Sequence, residues 1–267
     1  MRPLVEPDGE FDFNLLIEHR PAMFARMISE IPPQIIEMML RSTLRRDQQV
    51  ARSAAVMETF HRLCQTKNFS HDWFSSRAWA WHEPLAPLVD QGAAVLEVGA
   101  FEGRSTLFFL EVMRNSHVTV IDNFSLKKGW TSTQGITLQM DSEEAFHRNV
   151  AGYGSRVRAL AMSSWAGLAR LLDERAQFDV IFIDASHTMP DVMTDTLIAW
   201  RLLKPGGLFV WDDFLLDIWD WDKGPVGPGI AAFLRTFPQV WEVVHVGWQV
   251  FVRKRAELTE FTSTTAA

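Results

Sequence analysis

The sequence predicts an α/β fold: a mostly parallel, doubly wound sheet closed by an antiparallel hairpin and preceded by a helical extension. Three observations predict it. Between residues 67 and 255, short apolar runs alternate with helix-length segments, the pattern of a parallel sheet covered on both faces. The first run ends in a glycine turn, Gly99 to Gly103, that opens a helix. The last two runs, Val240 to Val246 and Trp248 to Arg253, flank Gly247 and read as a hairpin.

Taken in order, residues 1–66 form the helical extension, rich in Met, Ile and Arg and nearly free of glycine. Ile36, Leu40, Leu44, Ala54, Met57, His61 and Cys64 recur at threes and fours, with a polar break near Asp47 to Gln49. That spacing predicts one or two amphipathic helices beginning at Pro32-Pro33. Arg41, Arg45, Arg46, Arg52 and Arg62 are interleaved with acids and glutamines, so they read as a solvated face rather than a basic patch. Such an extension would cover an active site or make a dimer contact. Strands follow at Ala93–Val98, Val118–Ile121, Val157–Ala161, Phe178–Ile183 and Gly207–Trp211. Helices are expected at Ser105–Arg114, around Ser142–Val150 and in the later gaps, and residues 256–267 read as a frayed tail.

Composition narrows the function. The 267 residues are 47% hydrophobic and 22% charged, which excludes a mainly disordered or fibrous chain. A formal net charge of −7 argues against nucleic acid as partner. The single cysteine, Cys64, makes neither an internal disulfide nor a thiolate metal site. No targeting segment and no membrane-length apolar run is visible, so a cytoplasmic location with no membrane partner is expected. Eleven tryptophans are the unusual feature. Trp200, Trp241 and Trp248 fall in core patterns; Trp73, Trp79, Trp81, Trp130, Trp219 and Trp221 fall in segments that could flank an acceptor pocket. Trp165 and Trp211 adjoin the residues considered next.

The chemistry begins at the first strand. Gly99 and Gly103 let backbone approach a ligand, and the helix opening through Ser105 and Thr106 offers free N–H groups. The spacing is G-x-x-x-G, not the G-x-G-x-x-G of dinucleotide dehydrogenases, and no P-loop lysine follows. Glu97 would repel a pyrophosphate but could pair with a cationic amino-acid moiety. Asp122 closes the second strand about twenty residues on, where a carboxylate can accept both ribose hydroxyls. A structural βα turn and a loop cap are the plainer readings of these two features. Together they favour a nucleoside with a positively charged, unphosphorylated tail, a description that S-adenosylmethionine fits.

A carboxylate cluster comes next. Asp184 ends one strand, and Asp212 and Asp213 end what should be its neighbour, at the sheet edge where open α/β folds bind ligands. Clustered carboxylates repel unless a cation sits among them, and hard oxygen donors imply Mg²⁺ or a similar ion. His187, three residues past Asp184, stands near enough to take a proton from a hydroxyl oriented there.

From about residue 70 to 254 the chain resembles class I S-adenosylmethionine-dependent methyltransferases, in their small-molecule O-methyltransferase branch. The run Leu96-Glu97-Val98-Gly99-Ala100-Phe101-Glu102-Gly103-Arg104-Ser105 is similar to the cofactor motif of catechol O-methyltransferases. Asp184-Ala185-Ser186-His187, Leu203-Lys204-Pro205-Gly206-Gly207 and Asp212-Asp213-Phe214 look like the macrocin/mycinamicin sugar and cephalosporin-pathway group, as do Phe233-Leu234 and Gly247-Trp248-Gln249-Val250. The resemblance implies a Rossmann-like, seven-stranded sheet. It implies that Gly99, Ala100, Phe101 and Ser105 line the methionine part of the cofactor, Asp122 the ribose, and Asn123, Ser163 and Ser164 the adenine side. Asp184, Asp212 and Asp213 match the branch's metal ligands, and His187 the place of its general base, where catechol enzymes carry a lysine. The sequence departs at Met162-Ser163-Ser164, where relatives usually have glycine before the adenine-side serine.

The expected function is therefore methyl transfer from S-adenosylmethionine to a hydroxyl of a small molecule of natural-product, sugar or phenolic type, assisted by Mg²⁺, His187 and Asp184. A metal-independent N- or C-methyltransferase would keep the glycine turn without needing the aspartates, and a cofactor-binding scaffold would need no turnover. The loop after Asp213, with Trp219, Trp221, Gly224 and Pro225, reads as a lid over the acceptor or as core packing. A homodimer through the N-terminal helices is the expected assembly.

Overall fold

The computed structural model describes residues 18, 20–132, 135–216 and 224–258. Its sheet has seven strands: β1 (Ala94–Val98), β2 (His117–Asp122), β3 (Val157–Ala161), β4 (Phe178–Ile183), β5 (Leu203–Trp211), β6 (Trp241–Val246) and β7 (Val250–Lys254). Their order is β3-β2-β1-β4-β5-β7-β6. All neighbouring pairs are parallel except β5 with β7 and β6 with β7, so β7 alone runs against the rest. This is the Rossmann-like fold expected, and its strand order reverses between β1 and β4, the place where such sheets leave a crevice.

The helices are α1 (Pro21–Glu30), α2 (Pro33–Cys64), α3 (Arg104–Val112), α4 (Ser142–Val150), α5 (Ser164–Asp173), α6 (Met189–Leu202) and α7 (Val226–Thr236), with short helical turns over Ala78–Leu88. Two apolar clusters sandwich the sheet. On one face Leu96, Ile181, Phe209 and Trp211 pack with Trp200 and Phe233; on the other Val95, Val180 and Phe182 pack with Trp81, Phe108 and Phe109. Adjacent residues of one strand thus feed opposite clusters, the period of a doubly covered sheet. Among the described residues, no helix is long and apolar enough to cross a membrane.

The extension departs from expectation in two ways. The polar stretch Asp47 to Gln49 does not break it, and α2 runs 32 residues without interruption. Its core-facing row is Ile35, Met39, Ser42, Ser53, Met57, Phe60 and Cys64. Leu40 and Leu44, assigned to that row by spacing, are 58% and 85% exposed. Ile35, Ile36, Met38, Met39 and Leu40 are all apolar, so the period alone does not say which of two adjacent rows is buried. Both helices join the main core, α1 through Met27 and α2 through Ile35 and Met39.

Candidate active site

The crevice is built from the C-terminal ends of β1, β4 and β5. Asp184 N donates to Val98 O at 2.7 Å, Asp212 N to Ile183 O at 3.0 Å and Gly99 N to Ile121 O at 2.8 Å, so the strand ends are laced side by side. Gly99 has φ +88, and a Cβ there would lie 1.9 Å from the carbonyl oxygen of Asp184. Only glycine allows the turn and the aspartate loop to approach so closely.

Asp122 holds the turn in shape. Its Oδ2 accepts from Ala100 N at 2.8 Å and Phe101 N at 2.9 Å, and its Oδ1 from Phe124 N at 2.7 Å. Those bonds tolerate the left-handed backbone of Phe101, φ 51. Oδ1, with one bond, can still accept a ribose hydroxyl, so a structural and a binding role coexist. Glu97 lies fully buried in the central strand, between Val120 and Phe182. Its oxygens accept from Ser105 Oγ and Thr106 Oγ1, so this carboxylate and the Ser105 hydroxyl brace the start of α3 from below. Burial pushes the Glu97 carboxyl up to about 7, against the two hydroxyl bonds that favour its charge.

On the adenine side, Asn123 is exposed and its Oδ1 accepts from Ser125 N at 2.9 Å. Ser163 precedes the first turn of α5, and the Ser164 hydroxyl faces the buried Asp195, whose carboxyl burial raises to about 6.

The aspartates do converge, with one change of partner. Donor atoms of Asp184, His187 and Asp213 all lie within 4.8 Å of one another. His187 Nε2 is 3.0 Å from Asp213 Oδ2 and 4.0 Å from Asp184 Oδ1. Asp213 takes this position through a left-handed backbone, φ 59, and its Oδ1 accepts from Trp248 Nε1 at 2.9 Å. Asp212 stands outside that donor set: it is 5% exposed, and its Oδ1 accepts from Asp213 N at 2.7 Å.

The cluster carries more negative charge than its surroundings balance. Asp184 keeps 30% of its side chain exposed, yet the protein crowded about its carboxyl raises it well above the usual range. The charges of Asp212, Asp213 and Glu97 add to that effect. Burial and Asp213 push Asp212 up to about 7. The Arg77 guanidinium acts against both shifts. Two carboxylates and an imidazole in reach of one another, with unbalanced charge around them, form a donor set that fits a divalent cation.

Residues 96–214 match the family model described as a methyltransferase domain. The match covers less than half of the chain. The chain's fold is shared with the MycE methyltransferase of the mycinamycin biosynthetic pathway, solved with Mg, SAH and mycinamycin VI: 16% identity, TM-score 0.53, over 75% of this chain and 54% of that one. This chain therefore spans about half the length of that enzyme. An O-methyltransferase from Bacillus cereus, solved with SAH, has 17% identity and a TM-score of 0.53, over 83% of this chain and 100% of that one. No curated protein sequence matches the chain.

Sequence reasoning missed three residues of this site. Arg77 has its guanidinium 4.3 Å from the centre of the Trp248 ring, the same indole that donates to Asp213. Trp248, read as a core residue, packs against the core and also borders the site. Gln249 is 2% exposed; its Oε1 accepts from Trp81 Nε1 at 2.9 Å, while its amide nitrogen faces Asp212 without a hydrogen bond of ordinary geometry. The hairpin motif Gly247-Trp248-Gln249 was visible, but nothing local shows that it folds back onto Asp212 and Asp213.

The other tryptophans follow expectation only in part: Trp200 and Trp241 are buried in the core as expected. Trp81 is fully buried among Phe109, Phe182 and Phe251 and does not flank a pocket. Trp73 does border the site, 5.1 Å from the Phe101 ring and 4.9 Å from His71. Trp79 meets His245 at 5.6 Å, Trp130 is 38% exposed and Trp165 64% exposed. Trp219 and Trp221 lie outside the described residues. Segment 68–77 is strapped to the glycine turn: Ser70 N and Oγ donate to Glu102 at 2.6 and 2.7 Å, and Arg104 pairs with Asp72 at 3.0 Å. Trp73 and Arg77 thus approach the crevice on a segment fixed to the turn itself.

Proposed function

We propose that the domain transfers the methyl group of S-adenosylmethionine to a hydroxyl oxygen of a small molecule of natural-product, sugar or phenolic type. The observation that carries this reading is the convergence of Asp184, His187 and Asp213 against the Gly99 turn at the topological switch point. A nucleoside laid along the turn would offer its ribose to Asp122 and its adenine to Asn123, Ser163 and Ser164. Gly99, Ala100, Phe101, Gly103 and Ser105 would follow its methionine end.

Asp184 and Asp213 would hold a Mg²⁺ or similar ion, with the buried Asp212 adding charge beside it; such an ion supplies Lewis acidity that orients and acidifies a hydroxyl. His187 receives the acceptor's proton. His187 Nε2 faces both aspartates, so it would be the basic nitrogen, and Asp213 Oδ2 at 3.0 Å would hold the imidazolium that forms. The oxygen lone pair then forms the new C–O bond as the sulfonium S–C bond breaks, leaving a methyl ether, S-adenosylhomocysteine and a proton on His187. Sulfonium is a good leaving group, so in-line alignment and deprotonation carry the catalysis. The acidic chain suits a small-molecule acceptor rather than nucleic acid, in a cytoplasmic setting.

The test is transfer of isotope-labelled methyl from S-adenosylmethionine into a panel of small hydroxyl compounds and metabolite extracts, with and without a chelator. Label in an ether-linked methyl, lost on chelation and restored by Mg²⁺, is the expected result. Label on nitrogen or carbon, unaffected by chelation, would support the metal-independent alternative. No transfer despite cofactor binding would support a scaffold.

A further inference from the structure

We infer that the solvent face of α2 is a self-complementary seam on which a second copy of this chain docks antiparallel. The helix offers two opposite faces. One is the core row described above; the other is the row Glu37, Arg41, Leu44, Gln48, Ala51, Ala55, Glu58 and Arg62, every member exposed. Those positions step alternately by four and three along the helix, the spacing of the inward positions of a coiled coil. Leu44, at 85% exposure, is an apolar side chain left open to solvent among the described residues.

Charge decides the orientation. A two-fold axis crossing the helix midway between Gln49 and Val50 sets Leu44 against Ala55 of the second copy, and Gln48 against Ala51. The same axis sets Arg41 against Glu58, and Glu37 against Arg62, at both ends of the seam. Beside it, Asp47 meets Arg52, and Leu40 meets Thr59. Every charged residue of the row therefore meets its opposite. A parallel pairing would instead set Glu37 on Glu37, Arg41 on Arg41, Glu58 on Glu58 and Arg62 on Arg62, and like charges in register are repelled. Within one chain Arg41 already reaches Glu37 at 2.5 Å and Arg62 reaches Glu58 at 3.9 Å. Antiparallel docking would bring these two pairs together as a four-charge cluster at each end. The small side chains of Ala51 and Ala55 let the helices approach closely. Arg41, Arg52 and Arg62, three of the five arginines that read as a solvated face in the sequence, thus acquire a partner: acids of an identical helix.

The test is a charge exchange read by sedimentation or light scattering on the full chain. Wild type is expected at twice the chain mass. Arg41→Glu alone and Glu58→Arg alone are each expected to fall to the single-chain mass, because each sets like charges across the seam. The double variant, Arg41→Glu with Glu58→Arg, is expected to return to the doubled mass. Circular dichroism of each variant checks that the exposed substitutions leave the fold intact. A second measurement fixes the register: Leu44→Cys with Ala55→Cys is expected to give a covalent dimer under mild oxidation, since within one helix the two sites are far too distant to bond. A monomeric wild type at the highest soluble concentration would overturn the proposal. So would a dimer indifferent to both single reversals, which would use another face. A seam that becomes reactive only when residues 1–17 are removed would assign the face to the chain's own beginning, and would equally overturn it.

Discussion

His187 Nε2 lies 3.0 Å from Asp213 Oδ2, so the loop after β4 and the loop after β5 meet in one histidine–carboxylate pair. The pair orients an imidazole that is otherwise half in solvent, at 54% exposure. His187→Ala removes the group assigned to take the acceptor's proton while leaving the glycine turn untouched. Methyl transfer is expected to fall about 100- to 10,000-fold. Binding of S-adenosylhomocysteine, measured by calorimetry, is expected to change little. Full transfer activity across pH in this variant would remove His187 from the base role.

Gly99 tests the crevice itself. Alanine there sets a Cβ 1.9 Å from the Asp184 carbonyl in a left-handed backbone, φ +88. Relief requires the turn and the aspartate loop to separate, at a cost of about 4 kcal/mol or more. Gly99→Ala is expected to lower the melting temperature sharply and to lose cofactor binding. An unchanged melting curve would contradict this packing.

Arg77 is the internal cation facing Asp184 and Asp212, and it opposes the upward shift of both. Replacing it by glutamine removes a positive charge that competes with any bound metal ion. Arg77→Gln is therefore expected to bind Mg²⁺ about 2- to 10-fold more tightly, while being less stable without metal. Calorimetric titration with Mg²⁺, beside melting curves in chelator, would show both; weaker Mg²⁺ binding would count against the donor set.

Glu97 sets a pH dependence of stability whose sign follows from its raised pKa. Its carboxyl moves from an ordinary 4.5 up to about 7 on folding, so the folded chain holds a proton that the unfolded chain has lost between those values. The stability it contributes is complete below pH 4.5 and is lost as pH rises through about 7. Glu97→Gln keeps an acceptor for Ser105 or Thr106 without the charge. The variant is expected to gain on wild type between pH 4.5 and 8, by an amount on the order of 3 kcal/mol. Urea unfolding of both proteins across that range measures it, and parallel pH profiles would refute it.

Much of this was legible in the sequence because it lies in local patterns. The strands Val157–Ala161 and Phe178–Ile183 were delimited by their apolar runs to the residue. Gly99, Asp122 and Asp184 were identifiable because strand ends in this topology must meet at one edge. The rest depends on chain segments far apart in sequence. Arg77 reaches the aspartates only because segment 68–77 is bound to Glu102 and Arg104, and Trp248 only because β7 turns back along β5. Glu97 was readable as a strand-end acid but not as a buried one, since its partners Ser105 and Thr106 lie on the next helix. On α2 the error was a rotation: with apolar residues on adjacent rows, the core chose Ile35 and Met39 over Leu40 and Leu44.

The central claim is that the crevice beside Gly99 holds S-adenosylmethionine for methyl transfer. Titrating S-adenosylhomocysteine and NADH separately against the full chain, with wild type and Gly99→Ala in parallel, tests it most directly. The account predicts one equivalent of S-adenosylhomocysteine bound by wild type, competed by S-adenosylmethionine, with no binding by Gly99→Ala and no binding of NADH. Saturable NADH binding, or no binding of S-adenosylhomocysteine by the wild type, would contradict it.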